Sequence, residues 1–273
     1  MADVSPLYAA TRRALLDALD ALASQHNGLV LVGAQAIFLH TGDVDEAIAT
    51  ETKDADLALD PAALHANPLL ETAMTSAGFH LDITNPQPGS WISRAGYPVD
   101  LLLPEAVSGR SGKGRAGRIP PHDNMSARRV LGIEGALVDH SEMRVAALTS
   151  DDVRAHTLKV AGPAALLVAK QYKIFERLAQ PARQRPRDSH DVYRLLREIE
   201  PEVFVAGFEL MLGNEISAAV ARDAIGHLET LFGEPGGPGA QQAAEAVAPL
   251  VEEPEIVAIR CAALAREVLS SIA

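Results

Sequence analysis

The sequence predicts an α/β (α+β) protein, with a mixed sheet in its N-terminal part and helices in its C-terminal part. Short apolar segments bounded by turn residues are typical of buried strands. They lie at 29–32, 55–59 and 98–103. From Gly162 onwards the apolar residues follow a helical period instead. We therefore expect two domains, at 1–150 and 151–273, and a chain of 273 residues with 48% hydrophobic residues is long enough to form both.

The predicted N-terminal elements alternate between helix and strand. Leucines at helical spacing predict an amphipathic helix over 7–24. The buried strand at 29–32 follows it, and Gly33 ends that strand with a turn. A short helix over 34–40 comes directly after the turn. This succession places a helix start immediately behind the end of a strand.

A second helix is predicted after the strand at 55–59. Asp60 suits the N-cap and Pro61 the first helical position, and we expect this helix to run to about Gly78. Short β-like segments, a Gly- and Arg-rich loop and another pair of strands follow. The β-like segments lie at 80–83, 91–94 and 98–103. The loop lies at 108–121, and the strand pair at 128–138 and 143–148. The C-terminal helices are interrupted at Pro201 and at 233–239.

The composition limits the class of protein. The formal net charge is −12, whereas a protein that binds nucleic acid over its whole surface is usually basic, so any such contact must use a local positive patch. No apolar run reaches the roughly 20 residues that span a bilayer, and we expect neither a membrane span nor a signal peptide. The single Cys261 fits a cytoplasmic location and is expected to be a buried structural thiol. The nine His residues lack the spacing of a zinc site.

Three acidic residues stand where strands begin. Asp54 and Asp56 are two positions apart at the entry to one strand, and Asp100 leads into another. Residues i and i+2 of a strand project from the same face, and neighbouring carboxylates repel each other unless a cation lies between them. Mg²⁺ prefers such oxygen ligands together with substrate phosphates. The pattern predicts a Mg²⁺ site, with Mn²⁺ as an alternative, and Asp100 is also a candidate base for an attacking hydroxyl.

An Asp-x-Asp pair by itself is also typical of solvated acids at the start of a strand. The order of features favours the metal site. A strand, the Gly33 turn, a helix, the strand with Asp54 and Asp56, and then Asp100 before a third strand follow one another along the chain. This succession is more specific than any one of its parts.

That order resembles the nucleotidyltransferase fold typified by DNA polymerase beta. In that fold a Gly-Ser or Gly-Gly turn at a helix start precedes an Asp-x-Asp strand and a third acid. The resemblance runs from Gly33 to Asp100 and implies a polymerase-beta-like mixed sheet. It also implies that a triphosphate is bound at the turn, by Gly33, Ala34 and Gln35, since backbone N–H groups at a helix start bind phosphate oxygens. Ala34 departs from the pattern, because Ser or Gly is usual there.

Later segments narrow the resemblance to the AbiEii and MenT toxin nucleotidyltransferases. Lys170 lies in a segment similar to the lysine helix of that family. The segment at 187–195 is similar to the Arg-Asp-x-Tyr-Asp-Leu helix of that family, although His190 stands in place of the Tyr. The segment at 53–56 resembles its Ser-x-Asp-x-Asp element. From the residues alone, Asp188 is expected to be the N-cap of the helix that begins after it.

The resemblance assigns further site residues. It implies that Lys170 contacts the nucleotide phosphates and that Asp191 is a catalytic acid or base. Lys53 and Lys173 are expected to help in binding the nucleotide. Lys170, Lys173 and Arg177 follow the spacing i, i+3, i+7 and share one helix face, which is typical of a phosphate-binding stripe or of a solvated surface.

The implied function is the transfer of an NMP from an NTP onto a hydroxyl with release of pyrophosphate. The expected acceptor is the tRNA 3′ end, and the expected role is that of the toxin in a toxin–antitoxin or phage-defence system. The expected partners are therefore an NTP, tRNA or another RNA, and a cognate antitoxin. Two alternatives remain open: a small-molecule, antibiotic-modifying nucleotidyltransferase, and a non-catalytic binding protein with this fold.

The loop at 109–118 contains four cationic and no acidic residues. Such a loop is suited to RNA phosphates and is equally typical of an unliganded surface loop. It is not a phosphate-binding P-loop, because Lys113 is followed by Gly114 instead of Ser or Thr.

Overall fold

The computed structural model describes residues 5–42, 53–82, 87–109, 114–180, 185–247 and 253–272. The chain forms two compact units. Unit 1 comprises the described residues within Met1–Ala36, Ala49–Leu131 and His140–Ala161. Unit 2 comprises those within Ile37–Ile48, Gly132–Asp139 and Gly162–Ala273. The predicted mixed α/β class is confirmed, because unit 1 holds a mixed sheet and the C-terminal region is helical.

Unit 1 contains an eight-stranded sheet and the helices that accompany it. The helices are α1 (Pro6–Ala21) and α3 (Leu70–Ser76), while α2 (Gly33–Thr41) begins in unit 1 and continues into unit 2. The strands are β1 (Leu29–Val32), β2 (Ala55–Leu59), β3 (His80–Leu81), β4 (Ser90–Ile92), β5 (Pro98–Pro104), β6 (Arg128–Val130), β7 (His140–Ala146) and β8 (Ala155–Ala161). The predicted strands at 29–32, 55–59 and 98–103 are thus confirmed.

The strand order is β3-β4-β5-β2-β1-β8-β7, and β6 pairs with β5. Strands β1 and β2 are antiparallel, with Val32 opposite Asp56, whereas β2 and β5 are parallel, with Asp56 opposite Asp100. Strand β4 pairs with the start of β5 and β6 with its end. This register brings the end of β1 and the start of β2 beside the first half of β5.

Helix α1 covers the central strands of the sheet. It packs against β2, β5 and β8, and its side chains Leu15, Leu16 and Leu19 are fully buried. Complete burial of such a side chain stabilises the fold by about 1.5–3 kcal/mol. The predicted amphipathic helix is confirmed, although it ends at Ala21 and a 3-10 helix (Ala23–Gly28) follows.

The predicted helix from Asp60 to Gly78 is wrong over its first part, because α3 begins only at Leu70. Between Asp60 and Leu70, backbone groups form hydrogen bonds with a side chain that is distant in sequence. The buried Gln25 donates from Nε2 to the carbonyl oxygens of His65 (2.9 Å) and Pro68 (2.7 Å), and its Oε1 accepts from His65 N (2.7 Å). These bonds replace the bonds that a helix would provide.

The predicted strand at 128–138 is also wrong beyond its first residues. Strand β6 ends at Val130, and a 3-10 helix (Glu134–Leu137) follows, preceded by a turn in which the Glu134 carboxylate accepts from Gly132 N at 2.6 Å. Strand β8, which was not predicted, lies between β1 and β7. Residue 150, the expected domain boundary, falls between β7 and β8, which pair with each other along their whole length and both belong to unit 1.

Unit 2 is helical in its described part. Its helices are α4 (Pro163–Arg177), α5 (Pro186–Glu198), α6 (Pro201–Leu212), α7 (Ala218–Phe232), α8 (Pro238–Ala246) and α9 (Pro254–Ile272). All but α7 begin with proline, whose fixed φ favours the first helical position. The predicted interruptions at Pro201 and 233–239 are confirmed. Burial raises the pKa of the Cys261 thiol to about 12, as suits a structural residue. None of the described helices is long and apolar enough to cross a membrane.

Gly89 offers a test of the close packing among β4, β5 and β6. Its φ is 74°, and a Cβ there would overlap backbone atoms of Leu101 and Arg128. Gly96, with a φ of 85°, has open space around it. We expect Gly96→Ala to lower the free energy of unfolding by roughly 1–2 kcal/mol through backbone strain alone. Gly89→Ala should lower it by more, as urea denaturation measures, and equal losses would contradict this packing.

Candidate functional site

Two adjacent strands of unit 1, β2 and β5, bring the predicted acidic residues together. Asp56 on β2 lies opposite Asp100 on β5, and residues paired in this way point to the same face of the sheet. Asp54 precedes Asp56 by two positions at the entry to the strand and is half-buried, as Asp56 is. The sheet therefore places Asp56 and Asp100 side by side, with Asp54 at the start of the same strand.

Gly33 lies at the same end of the sheet, on the side of β2 that pairs with β1. It follows β1, adopts a φ of 72° and begins α2. A Cβ at Gly33 would overlap the Asp56 carboxylate oxygen Oδ2. Glycine is needed here for two reasons: the turn has a left-handed backbone, and the Asp56 carboxylate occupies the space of a side chain. The predicted turn and the predicted Asp-x-Asp strand are thus direct neighbours.

Asp100 is the most enclosed of the three acids, with 7% of the residue exposed. Its Oδ2 forms an ion pair with the Arg128 guanidinium, a contact that the sequence did not predict. Burial raises the pKa of Asp100 above its ordinary value. Arg128 and a hydrogen bond with Ser90 act against this effect, while the charge of Asp54 adds to it. Because the charge of Asp54 raises the pKa of Asp100, these two carboxylates interact electrostatically.

The donor set of this cluster fits Mg²⁺ or Mn²⁺ in chemical type, because carboxylate oxygens on one sheet face are the ligands these ions prefer. Within the described ranges, no group of three or more His, Cys, Asp or Glu side chains is arranged to hold a metal ion. One carboxylate, that of Asp100, is bonded to Arg128. Lys53, expected to contact the nucleotide, is exposed at the entry to β2.

The residues after the Gly33 turn differ in accessibility. Ala34 is half-buried in the first turn of α2. Gln35 is buried, and its Oε1 accepts a hydrogen bond from Arg12 Nε at 2.7 Å. Arg12 also donates to the carbonyl oxygen of Ala146 (3.0 Å) and to the Tyr8 hydroxyl (2.9 Å). The Arg12 bond thus uses the amide oxygen of Gln35, whereas Nε2, the atom that could donate to a phosphate, is buried and has no hydrogen-bond partner among the described residues.

Unit 2 contains the second group of predicted residues. Lys170 on α4 is buried, and its Nζ lies 3.0 Å from Asp188 Oδ1 and 2.6 Å from Asp191 Oδ2. Both acids lie on α5 at the spacing i, i+3, so they face α4 together. Burial by itself lowers the pKa of Lys170, but the two carboxylates raise it well above the ordinary value. Lys170 is therefore held as a cation between two acids.

Asp188 also binds the rest of the cationic stripe. Its carboxylate lies 2.7 Å from Arg177 Nη1 and 3.4 Å from Lys173 Nζ. Burial raises the pKa of Asp188, but Lys170, Lys173 and Arg177 together outweigh this effect, so the net pKa lies well below the ordinary value. The expected N-cap role of Asp188 is wrong, because α5 begins at Pro186 and Asp188 lies inside its first turn. Two spacings in the sequence indicate this pairing. The cations of α4 follow i, i+3, i+7, and the two acids of α5 follow i, i+3.

The predicted site residues thus fall in both units. Gly33, Asp54, Asp56 and Asp100 belong to unit 1, and the Lys170 cluster belongs to unit 2. Lys170 and Asp191, which the resemblance assigns to phosphate binding and to acid–base chemistry, are bonded to each other.

The basic loop is only partly within the described residues, since 110–113 lie outside them, as does Arg183. Its described end is not a free loop but pairs with β6. Gly117 N donates to Ala127 O (2.9 Å), and Arg129 N donates to Arg115 O (2.7 Å). An antiparallel bridge joins Ala116 to Arg128 between these bonds. The loop is therefore attached to the strand that carries Arg128.

Comparison of the chain with protein-family models, with curated proteins and with solved structures gives no significant match.

Replacing Lys170 tests the buried cluster. Lys170→Met leaves Asp188 and Asp191 buried without their shared cation, and we expect a loss of about 3–5 kcal/mol in the free energy of unfolding. Lys173→Met is the matched control, because that side chain is 43% exposed and its contact is longer, and it should cost less than about 1 kcal/mol. Chemical denaturation compares the two variants. Similar small losses in both would show that the cluster is not a structural ion pair.

The cluster also predicts a pH dependence of stability. The folded pKa of Asp188 lies below its ordinary value of 3.8, so its contribution to stability is present above that pH and is lost as the pH falls. We expect the free energy of unfolding to decrease from about pH 5 downwards, and to decrease less steeply in Asp188→Asn. Urea denaturation between about pH 6 and about pH 3 measures both slopes. Parallel curves would contradict the depressed pKa.

Proposed function

We propose that the protein is a Mg²⁺-dependent nucleotidyltransferase that transfers an NMP from an NTP to a hydroxyl group. The observation that carries this proposal is the register of unit 1. Asp56 faces Asp100 across two parallel strands, and Gly33 begins a helix directly against Asp56. A carboxylate group beside a helix N-terminus is suited to a metal-bound triphosphate.

The proposed reaction is a substitution at phosphorus. The acceptor oxygen bonds to the α-phosphorus of the NTP while the bond to the pyrophosphate oxygen breaks, and the acceptor proton passes to the Asp100 carboxylate. Asp54 and Asp56 would hold Mg²⁺, or Mn²⁺ in its place, which neutralises phosphate charge and aligns the attacking and leaving oxygens. The N–H groups at the start of α2 bind phosphate oxygens. Positioning and charge compensation provide most of the catalysis.

The proposed acceptor is the 3′ end of tRNA, and the proposed role is that of a cytoplasmic toxin restrained by an antitoxin. The resemblance to the AbiEii and MenT proteins at 53–56 and 187–195 supports this role. Arg115 and Arg118 support an RNA acceptor, since both are exposed, Arg115 accepts a backbone bond from Arg129 on β6, and Arg118 follows Gly117, which bonds Ala127 directly before β6. An RNA contact through these residues would weaken with rising salt.

The test is transfer of label from α-labelled NTPs to total tRNA in the presence of Mg²⁺. We expect labelled tRNA with the wild-type protein and a loss of at least about a hundredfold with Asp56→Asn, because electrostatic groups at reacting phosphates commonly contribute that much. Asp60→Asn is the matched control. It makes the same substitution at the other end of β2, away from the cluster, and should retain activity.

The outcomes separate the candidates. Label on a small molecule instead of RNA supports the antibiotic-modifying alternative. Binding of NTP that depends on Asp54 and Asp56, without transfer to any acceptor, supports a non-catalytic binding protein. The ion pairs at Asp100 and Lys170 favour this last alternative over the small-molecule one, because both groups are already bonded within the protein. No binding and no transfer would overturn the proposed function.

A further inference from the structure

Arg128 is a residue that the structure adds to the carboxylate cluster of unit 1. Its Nη2 forms the ion pair with Asp100 Oδ2. Its Nη1 donates a hydrogen bond to the side-chain amide oxygen of Gln87 at 3.3 Å. Arg128 lies opposite Leu102 on the neighbouring strand, and Leu102 lies two positions beyond Asp100. The side chains of Arg128 and Asp100 therefore leave the sheet on the same face.

The backbone of Arg128 is fixed on both sides. Strand β6 pairs with β5 on one side, and the bridge from Ala116 joins it on the other. Gly89, directly before β4, packs against the Arg128 backbone nitrogen, and a side chain would not fit there. The Arg128 side chain can therefore change its conformation while the strand stays in place. The ion pair with Asp100 can open without unfolding its surroundings.

The guanidinium and a metal ion are alternative partners of Asp100. Both are cations that bind carboxylate oxygens, and Arg128 bonds Oδ2 directly. The guanidinium also adds a positive charge, which repels a divalent cation close by. With the side chains of Asp100 and Arg128 only 11% and 19% exposed, water screens this repulsion weakly.

We propose that Arg128 is a positioning residue that holds Asp100 in the metal-free protein and competes with a divalent cation for its carboxylate. This inference rests on the proposed metal site of the nucleotidyltransferase. Binding of the cation then requires that the ion pair between Arg128 and Asp100 breaks. The released guanidinium can then bind the phosphates of the nucleotide.

The test is titration of the metal-free protein with Mn²⁺, with free Mn²⁺ followed by electron paramagnetic resonance. We expect Arg128→Gln to bind Mn²⁺ about tenfold more tightly than the wild type, because the competing cation is removed. Arg128→Lys, which keeps the charge, should return the affinity towards the wild-type value. A residue with a structural role alone would not produce a gain of affinity that the conservative variant reverses.

Arg129→Gln is the matched control. Arg129 is the next residue on β6, but its side chain contacts Glu105 (3.9 Å) and Gly114 O (3.2 Å) instead of Asp100. Its Mn²⁺ affinity should equal that of the wild type. If Arg128→Gln fails to fold, the guanidinium NMR resonance of Arg128 in the wild-type protein provides the same test, since it should shift on saturation with Mg²⁺.

The possible failures are distinguishable. Wild-type binding of Mn²⁺ with unchanged or weaker affinity in Arg128→Gln overturns the competition and leaves the proposed function standing. A tenfold gain without transfer of labelled NMP supports the competition and contradicts the proposed function. Absence of Mn²⁺ binding in both proteins overturns both, and an unmoved Arg128 resonance at saturating Mg²⁺ overturns the competition.

Discussion

The register of β2 between β1 and β5 decides where the acidic residues of unit 1 lie. Asp56 faces Val32 on one side and Asp100 on the other because the buried Leu57 lies opposite Leu31 and Leu101. A slip of one residue would turn every side chain of β2 to the opposite face and expose its apolar residues. Apolar packing therefore fixes the position of the polar cluster, and the carboxylates repel each other at an electrostatic cost that the core offsets.

Buried charges in both units are compensated by partners from other elements. Asp100 meets Arg128 from β6, and Lys170 meets Asp188 and Asp191 from α5. An ion of this kind is costly to bury alone, so each such pair restricts how its elements can pack. The pairs also affect chemistry, because a carboxylate or ammonium that is already bonded must be released before it can bind a ligand. This competition links the stability of each cluster to its proposed function.

The predicted strands at 29–32 and 55–59 were correct because their apolar runs end at turn residues that act locally. The helix predicted from Asp60 was wrong because Gln25, far away in sequence, bonds the backbone of His65 and Pro68. Strand β8 was missed because His156, Thr157 and Lys159 interrupt its apolar residues, so that no apolar run and no strict alternation indicates a strand. Its assignment as a strand depends on pairing with β1 and β7, which no local pattern contains.

The sequence by itself determined the features that act over a few residues. These are the interruptions of the C-terminal helices at Pro201 and 233–239, the turn at Gly33 and the i, i+2 spacing of Asp54 and Asp56. Only the tertiary structure decided which charges meet. Arg128 reaches Asp100, and Asp188 belongs to Lys170 instead of capping its own helix. The physical reason is that strand register and helix packing follow from burial of the whole core, whereas turns and helix starts follow from the conformational limits of single residues.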